Sequence, residues 1–310
     1  MPSAPRATLP TLLLAAVLAA CGGCAPAPAP PARELAGMLL DAQLSEVSGL
    51  AASRRHRNVL WMHDDGGNPA RLFAVDEEGN RLATLRVEGV TKTDWEDIAS
   101  FELDGRSYLL IADVGDNGGL RRTLQLHVIE EPARIANGRV RPAWSIAFRW
   151  PDGARDCEAV AVDAARGEVL LVSKRRRPPE LFSLPLRPPG VERITARRIG
   201  VLGGMPQPDE RQRREDPQGA RLQTQVTAAD LAPDGRTLAV LTYRHVLLYP
   251  RSRAGWRLGL RTPSAVLELP WLPQAEALGW SRDGHLYVTG EFVPAPLYRL
   301  AHAPTDGEAQ

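Results

Sequence analysis

The stretch "DWEDIASFELDGRSYLLIADVGDN", Asp94 to Asn117, carries the pattern on which the architecture turns. It holds an acid-rich opening, an apolar pair of positions, an Asp-Gly turn, and an apolar run ending in more acids. Asp-Gly between two apolar runs is a hairpin signal. Desolvating carboxylates beside a core strand costs several kcal/mol unless they are paired or bound. The acids therefore need a structural reason, and repetition supplies one. "EVSGLAA" from Glu46, "DCEAVAV" from Asp156, "TAADLAP" from Thr227 and "QAEALGW" from Gln274 share the pattern of "DWEDIAS". Each has a polar first position, a large aliphatic fifth position, and Ala or Gly at the sixth.

An apolar run follows each opening: "NVLWMHDD", "SYLLIADV", "EVLLVSKR", "TLAVLTYR" and "HLYVTGEF". Third runs come after a second turn ("RLFAVDE", "LQLHVIE", "ELFSLPL", "VLLYPR", "LYRLA"), and most units carry a fourth. Four short strands per unit of roughly 45 to 60 residues is the signature of a propeller blade. The reading is an all-β, five-bladed β-propeller with blades beginning near Glu46, Asp94, Asp156, Thr227 and Gln274. The fifth blade runs out of chain after its third strand. "GMLLDAQL", Gly37 to Leu44, is an orphan strand that would complete it, close the ring and remove free sheet edges. A six-bladed ring is the alternative; its extra blade would have to come from Gly203 to Gln223, which lacks alternating apolar residues. That stretch is expected to be a long loop, disordered or a lid or docking segment. No helical periodicity is evident after the leader.

The ends of the chain read differently. Arg6 precedes the apolar run "LPTLLLAAVLAAC", which is too short to span a bilayer and suits a secretory leader. It ends "LAAC", Leu18 to Cys21, and resembles a bacterial lipobox. The expected organisation is a lipoprotein signal peptide over 1–20 and a lipidated Cys21 with a Pro-rich linker over 21–35. The propeller follows over 36–302, with its insert loop at 203–223, and a C-terminal tail at 303–310. "APAPAPPA", Ala25 to Ala32, is an extended spacer. Gly22 after Cys21 favours, by resemblance to known sorting rules, an outer-membrane anchor facing the periplasm. The partners expected are the membrane, through a palmitate-type lipid anchor, and an unknown small ligand or protein; the body is expected to be a monomer. A net charge of +1 sets up no field for nucleic acid. Of three cysteines only Cys157 lies in the folded part, so no internal disulfide is expected there.

In a propeller the first strand of each blade lines the central channel. The loops entering it share one face with those between second and third strands. Polar residues of distant repeats therefore gather at one mouth. The third position holds Glu96, Glu158 and Glu276 in three blades, and Ser48 and Ala229 in the others. First-position Glu46, Asp94 and Asp156 lie beside them, since alternate strand residues point the same way. The loops add Asp64 and Asp65 from "HDDGGNP", Asp113, Asp116 and Asn117 from "DVGDNGG", Lys174 from "KRRRPP", and Tyr243 and Glu291. Three uses of this cluster stay open. The acids could hold calcium, which takes six to eight oxygens, with Asp94, Glu96, Glu158 and Glu276 as ligands. They could instead be neutralised by Lys174, Arg175 and Arg244. Or they could act in acid–base or metal-assisted chemistry. No Gly-x-Ser-x-Gly, His-Glu-x-x-His or phosphate-loop pattern is present. Of six histidines only His63 and His245 fall near the mouth. Trp95, Trp144, Trp150 and Trp280 are expected to pack between blades.

"EVSGLAAS…LWMHDDGG", "DWEDIA" and "YLLIADVGDN" resemble bacterial propellers of the SdiA-regulated type and those described as having esterase-like activity of phytase. The likeness runs from about Glu46 to Leu300. It implies an exported propeller with calcium at the channel. Its phytase-type members use several calcium ions and acidic side chains to hydrolyse phosphate esters. This chain departs from a complete acidic array, with Thr227 and Ala229 standing where the second blade has Asp94 and Glu96.

Overall fold

The computed structural model describes residues 33–301 except 189, 191 and 192. The expected leader, lipidated Cys21, most of the linker and the C-terminal tail lie outside the described residues. The body is a five-bladed β-propeller.

Strand β1 (Arg33–Leu39) comes first. Blade one is β2 (Val47–Ala52), β3 (Val59–Asp64), β4 (Arg71–Asp76) and β5 (Arg81–Val87). Blade two is β6 (Trp95–Leu103), β7 (Arg106–Asp113), β8 (Leu124–Glu130) and β10 (Trp144–Arg149). Between the last two lies β9 (Gly138–Val140), which pairs in parallel with β5 of blade one. Blade three is β11 (Cys157–Asp163), β12 (Glu168–Ser173), β13 (Glu180–Pro185) and β15 (Arg197–Val201). Its short β14 (Ile194–Thr195) likewise pairs in parallel with β10 of blade two. Blade four is β16 (Val226–Leu231), β17 (Thr237–Thr242), β18 (His245–Pro250) and β19 (Ala265–Glu268). Blade five is β20 (Ala275–Trp280), β21 (His285–Gly290) and β22 (Ala295–Ala301), completed by β1 pairing antiparallel to β22. So the N-terminal strand closes the ring. It starts at Arg33, inside the stretch assigned to the linker, and the chain from Asp41 turns away rather than continuing it.

The middle strands read as unbroken apolar runs because each blade is covered on both faces. In β7, Tyr108 to Asp113 are all buried. The core is accordingly five clusters, one at each junction between neighbouring blades. The tryptophans serve there: Trp150 packs edge-on against Phe148 and Phe182, with ring centroids 5.2 and 4.9 Å away. The Asp-Gly signals also hold. Asp104 and Gly105 both take positive φ (51° and 74°) between paired Leu103 and Arg106, the two-residue hairpin turn that matches strand twist.

Three sequence expectations need correction. The insert 203–223 is not a structureless loop: it contains α1 (Glu210–Glu215) and α2 (Pro217–Leu222). Asp209 caps α1 and Gln212 reaches back to the Asp209 N–H, while Asp216 and Pro217 start α2, so local capping wrote these helices without amphipathic periodicity. A third short helix, α3 (Trp256–Gly259), lies between β18 and β19. The register of blade four is also two residues earlier than expected. Val226 pairs with Thr242 as Trp95 pairs with Asp113 and Cys157 with Ser173. The third position there is Thr227, not Ala229, and the first is Gln225. Leu231 has the size expected at the fifth position, a place that Ala229 occupies.

The channel is closed by a carboxylate. Asp97 is fully buried; Oδ1 accepts its own following N–H, from Ile98 (2.8 Å), and Oδ2 accepts from Val160 (2.8 Å) and Ala229 (3.2 Å). One side chain thus ties the inner strands of blades two, three and four. Asp230 does the same for blades four and five, accepting from Leu231 and Trp280 at 2.8 Å each. Burial pushes both carboxyls up, Asp230 to about 6, and the N–H groups oppose this. Asp97→Ala strips partners from three buried N–H groups, each costing about 1–3 kcal/mol when unmet. It is expected to lower urea-unfolding stability by about 3 kcal/mol or more, whereas the exposed Glu102→Ala stays within about 0.5 kcal/mol.

Candidate functional site

Every inner strand is bulged at the same place. The register slips between second and fourth positions in β2, β6, β11, β16 and β20. The bulged residues are Ser48, Glu96, Glu158, Thr227 and Glu276. A bulge re-aims the side chain of its extra residue, and all five sit at one end of the channel. Ser48 Oγ donates to the carbonyl of Glu96 (2.7 Å) and Thr227 Oγ1 to that of Ala275 (2.7 Å), stitching blade to blade. The three glutamates make the acidic mouth.

Glu96, Glu158 and Glu276 are 6%, 3% and 6% exposed. Lys174, from the loop after β12, forms an ion pair with Glu158. Its ammonium lies 5.5 Å from the Tyr243 ring centroid, and the Tyr243 hydroxyl donates to Glu276 Oε1 (2.8 Å). A single ammonium is therefore shared by three buried carboxylates. Burial, with the charges of Glu158 and Asp94, holds Glu96 well above the usual carboxylate range. Burial raises Glu158 despite Lys174, and lifts Glu276 to about 7. Burial opposes the Lys174 charge, but Glu158 and Glu276 outweigh it and raise the ammonium. Burial and Glu276 likewise raise the Tyr243 hydroxyl.

A second tier surrounds this group. Asp94 is drawn up by burial and by Asp156; Asp65 by burial, Asp94 and Glu46. Asp64 rises to about 6, mainly through burial, and Glu291 to about 7 through burial and Glu276. Glu46 accepts from Asn68 Nδ2 (2.5 Å), and Glu291 from Gln274 Nε2 (2.5 Å). Asp156 is paired with Arg175 (3.0 Å) and accepts from the Asp116 N–H (3.0 Å). A Cβ at Gly115 would collide with the carboxylates of Asp94 and Glu96 as they stand, so glycine lets both close against the loop.

The sequence-predicted residues thus fall at one mouth, but not in one role. Asp113 is turned inward: it pairs with Arg121 (2.6 Å) and accepts the N–H groups of Thr93 (2.8 Å) and Asp94 (3.2 Å). Asp116 caps its own loop, accepting from Leu120 and Arg121 N–H, and Asn117 is taken by Arg175. These three build the loop and are not free donors. Arg244 does not neutralise the mouth; it lies 3.7 Å from Glu268 on the outer strand. The cations that sequence reasoning missed are Arg121 and Lys92. Lys92 Nζ donates to the carbonyls of Asp64 (2.7 Å) and Asp65 (2.5 Å) and sits 5.0 Å from the Trp95 ring centroid. Its place three residues ahead of "WED" was the available signal. His63 is fully buried, edge-on to Trp95 at 5.6 Å, and burial lowers it to about 4, so it is a neutral packing residue. Cys157 is buried with Sγ 3.2 Å from the Val172 carbonyl, and burial raises its thiol, which removes it as a nucleophile.

Among the described residues no three His, Cys, Asp or Glu side chains are grouped as a metal ion requires. With Glu158 engaged by Lys174 and Glu276 by Tyr243, the set Asp94, Glu96, Glu158 and Glu276 does not fit calcium as arranged. The mouth is instead a desolvated acidic well with too few cations.

No protein-family model matches the chain, and no curated protein matches it in sequence. Among solved structures it is similar to U3-55K, at 12% identity over 83% of this chain and 68% of that one, with a TM-score of 0.40. It is similar to the Cps50 (Swd1) β-propeller domain of Myceliophteria thermophila, at 13% identity, 83% and 84% coverage and a TM-score of 0.41. A luciferin-regenerating enzyme is similar at 10% identity, 88% and 96% coverage and a TM-score of 0.45. These likenesses concern architecture and carry no ligand across.

Glu276 gives a pH test. Its carboxyl titrates near pH 7 in the fold, above an ordinary value of 4.5. Between those values the native state keeps a proton that the unfolded chain has released, so stability falls as pH rises through this window. Glu276→Gln keeps an acceptor for Tyr243 and removes that loss. Melting curves should show the variant gaining on the parent from pH 5 to pH 8. A difference of the opposite slope would refute the raised value.

Proposed function

We propose that the protein is an exported, lipid-anchored binding propeller whose acidic mouth takes an organic cation, an ammonium or guanidinium carried on an apolar body. The observation that carries this reading is the trio Glu96, Glu158 and Glu276, buried together around the single ammonium of Lys174. Carboxylates held protonated by burial and mutual repulsion ionise when a cation arrives, so the site gains most from a positively charged guest. The rim suits an apolar body. Leu120, Trp271 and Phe292 are 84%, 82% and 56% exposed, and all three lie on loops of the mouth face. Solvent-facing aromatic and aliphatic side chains around a polar pocket mark a contact surface.

Hydrolysis of phosphate or other esters with calcium is the second reading, from the resemblance noted above. The oxygen-rich loops 64–68 and 113–117 favour it. Against it, Asp113 and Asp116 spend their oxygens on N–H groups and Arg121, and blade four offers Gln225 and Thr227 at the mouth. A protein-docking scaffold built on 203–223 has the capped helices α1 and α2 in its favour.

Titration calorimetry with a capped leucine–arginine–leucine peptide tests the main reading. One carboxyl near pH 7 that must ionise makes binding roughly tenfold tighter at pH 8 than at pH 6, with proton release seen as a buffer-dependent enthalpy. Glu276→Gln should remove most of the pH dependence. Calcium chloride binding with the same dependence, and none by the peptide, would replace the organic cation with the metal. For the anchor, Cys21→Ser should move the protein from the membrane fraction to the soluble periplasm; unchanged fractionation would count against lipidation.

A further inference from the structure

The end of the channel opposite the acidic mouth is also built as a site. There the turns joining first to second strands of the blades enclose a cavity of about 460 Å³, within the range of small-molecule pockets. All five blades contribute to its wall, and Phe101, Val162 and Leu231 make part of it apolar.

Arg54 points into this space and is only 9% exposed. Its Nε donates to Ser100 Oγ (3.1 Å) and to the Ser100 carbonyl (3.3 Å). Among the described residues neither terminal nitrogen of the guanidinium has a hydrogen-bond or ion-pair partner. The carboxylates nearby are spent elsewhere. Asp230, whose charge Arg54 shares across the channel, gives its oxygens to the N–H groups of Leu231 and Trp280. Asp163 is paired with Arg251 and lies 3.8 Å from Arg166. Glu102 faces Arg282 at 3.5 Å, and Asp234 accepts the Arg236 N–H at 2.8 Å.

The position of Arg54 is fixed from behind. Glu131, 1% exposed, accepts from Ser53 Oγ, from the N–H groups of Arg54 and Arg55 (3.2 Å each) and from Trp61 Nε1 (2.8 Å). A buried carboxylate from blade two thus holds the turn of blade one that carries the arginine. Asp230 supplies counter-charge to Arg54 but no hydrogen bond, and leaving guanidinium N–H groups buried without acceptors is costly; the fork matches the two oxygens of a carboxylate or phosphate.

We infer that this cavity is a second binding site, for a small molecule with one oxyanion group, carboxylate or phosphate, held by the two open arms of the Arg54 guanidinium against an apolar wall. It is independent of the acidic mouth and of what binds there.

The test is a thermal-shift and calorimetric titration of the purified full chain with inorganic phosphate and with sodium butyrate, against sodium chloride at matched ionic strength. One of the two oxyanions should give a saturable rise in melting temperature that chloride does not, and which of them does so identifies the group. Arg54→Lys should weaken that binding and Arg54→Met should abolish it. Should Arg54→Met fail to fold, Ala165→Trp blocks the cavity while leaving Arg54 and its contacts in place, and it too should abolish the shift. No saturable response to either oxyanion, or a response unchanged in Arg54→Lys and Ala165→Trp, overturns the proposal.

Discussion

The ring depends on what happens to the inner edge of its innermost strands. An edge strand carries N–H groups that its own sheet cannot meet. In this propeller those edges face one another across the channel, and buried carboxylates meet them. Asp97 meets the N–H groups of Ile98, Val160 and Ala229 with one carboxylate, and Asp230 meets those of Leu231 and Trp280. Three blades hang on the first residue and two on the second. The apolar clusters between blades supply most of the burial, but they would tolerate small rotations of one blade against the next. Directional bonds to a shared central acceptor do not.

With the blades locked at that radius, the bulge before each fourth position has a fixed consequence. It tips Glu96, Glu158 and Glu276 into one small volume together with Lys174. The crowding is not relieved by sufficient cations, so the carboxyls stay partly protonated. This is a poised site: its charge is set by what occupies it. The other end of the channel is built differently. There the lining carboxylates Glu102, Asp163 and Asp234 all have partners, while the two terminal nitrogens of Arg54 have none among the described residues.

Some of this was legible in the chain as written. The five repeats, the Asp-Gly turns and the missing fourth strand of the last blade led directly to a closed five-bladed ring. Glu96, Glu158 and Glu276 were recognisable because they recur at one repeat position. The misreadings have physical causes. Blade four reads two residues late because Leu231 has the size of the fifth-position landmark while Ala229 holds the place; a shift of two leaves each side chain on its own face, so strand alternation does not reveal it. Asp113 and Asp116 looked like free donors because composition does not tell a loop's builder from its guest. Helices α1 and α2 were missed because they are held by caps and not by an apolar stripe.

The architecture can be read along the chain, since hydrophobic periodicity and turn chemistry are local and repeat five times. The chemistry of the two channel ends emerges on folding. Whether a carboxylate is free, paired or protonated depends on groups from other strands and blades, such as Lys174 beside Glu158 of its own blade and near Glu276 of another, or Glu131 of blade two behind Arg54 of blade one. Arg54 and Glu131 are 77 residues apart along the chain, and Lys174 reaches Glu158 within its blade but Glu276 only across the ring, so blade folding and ring closure together set these charges.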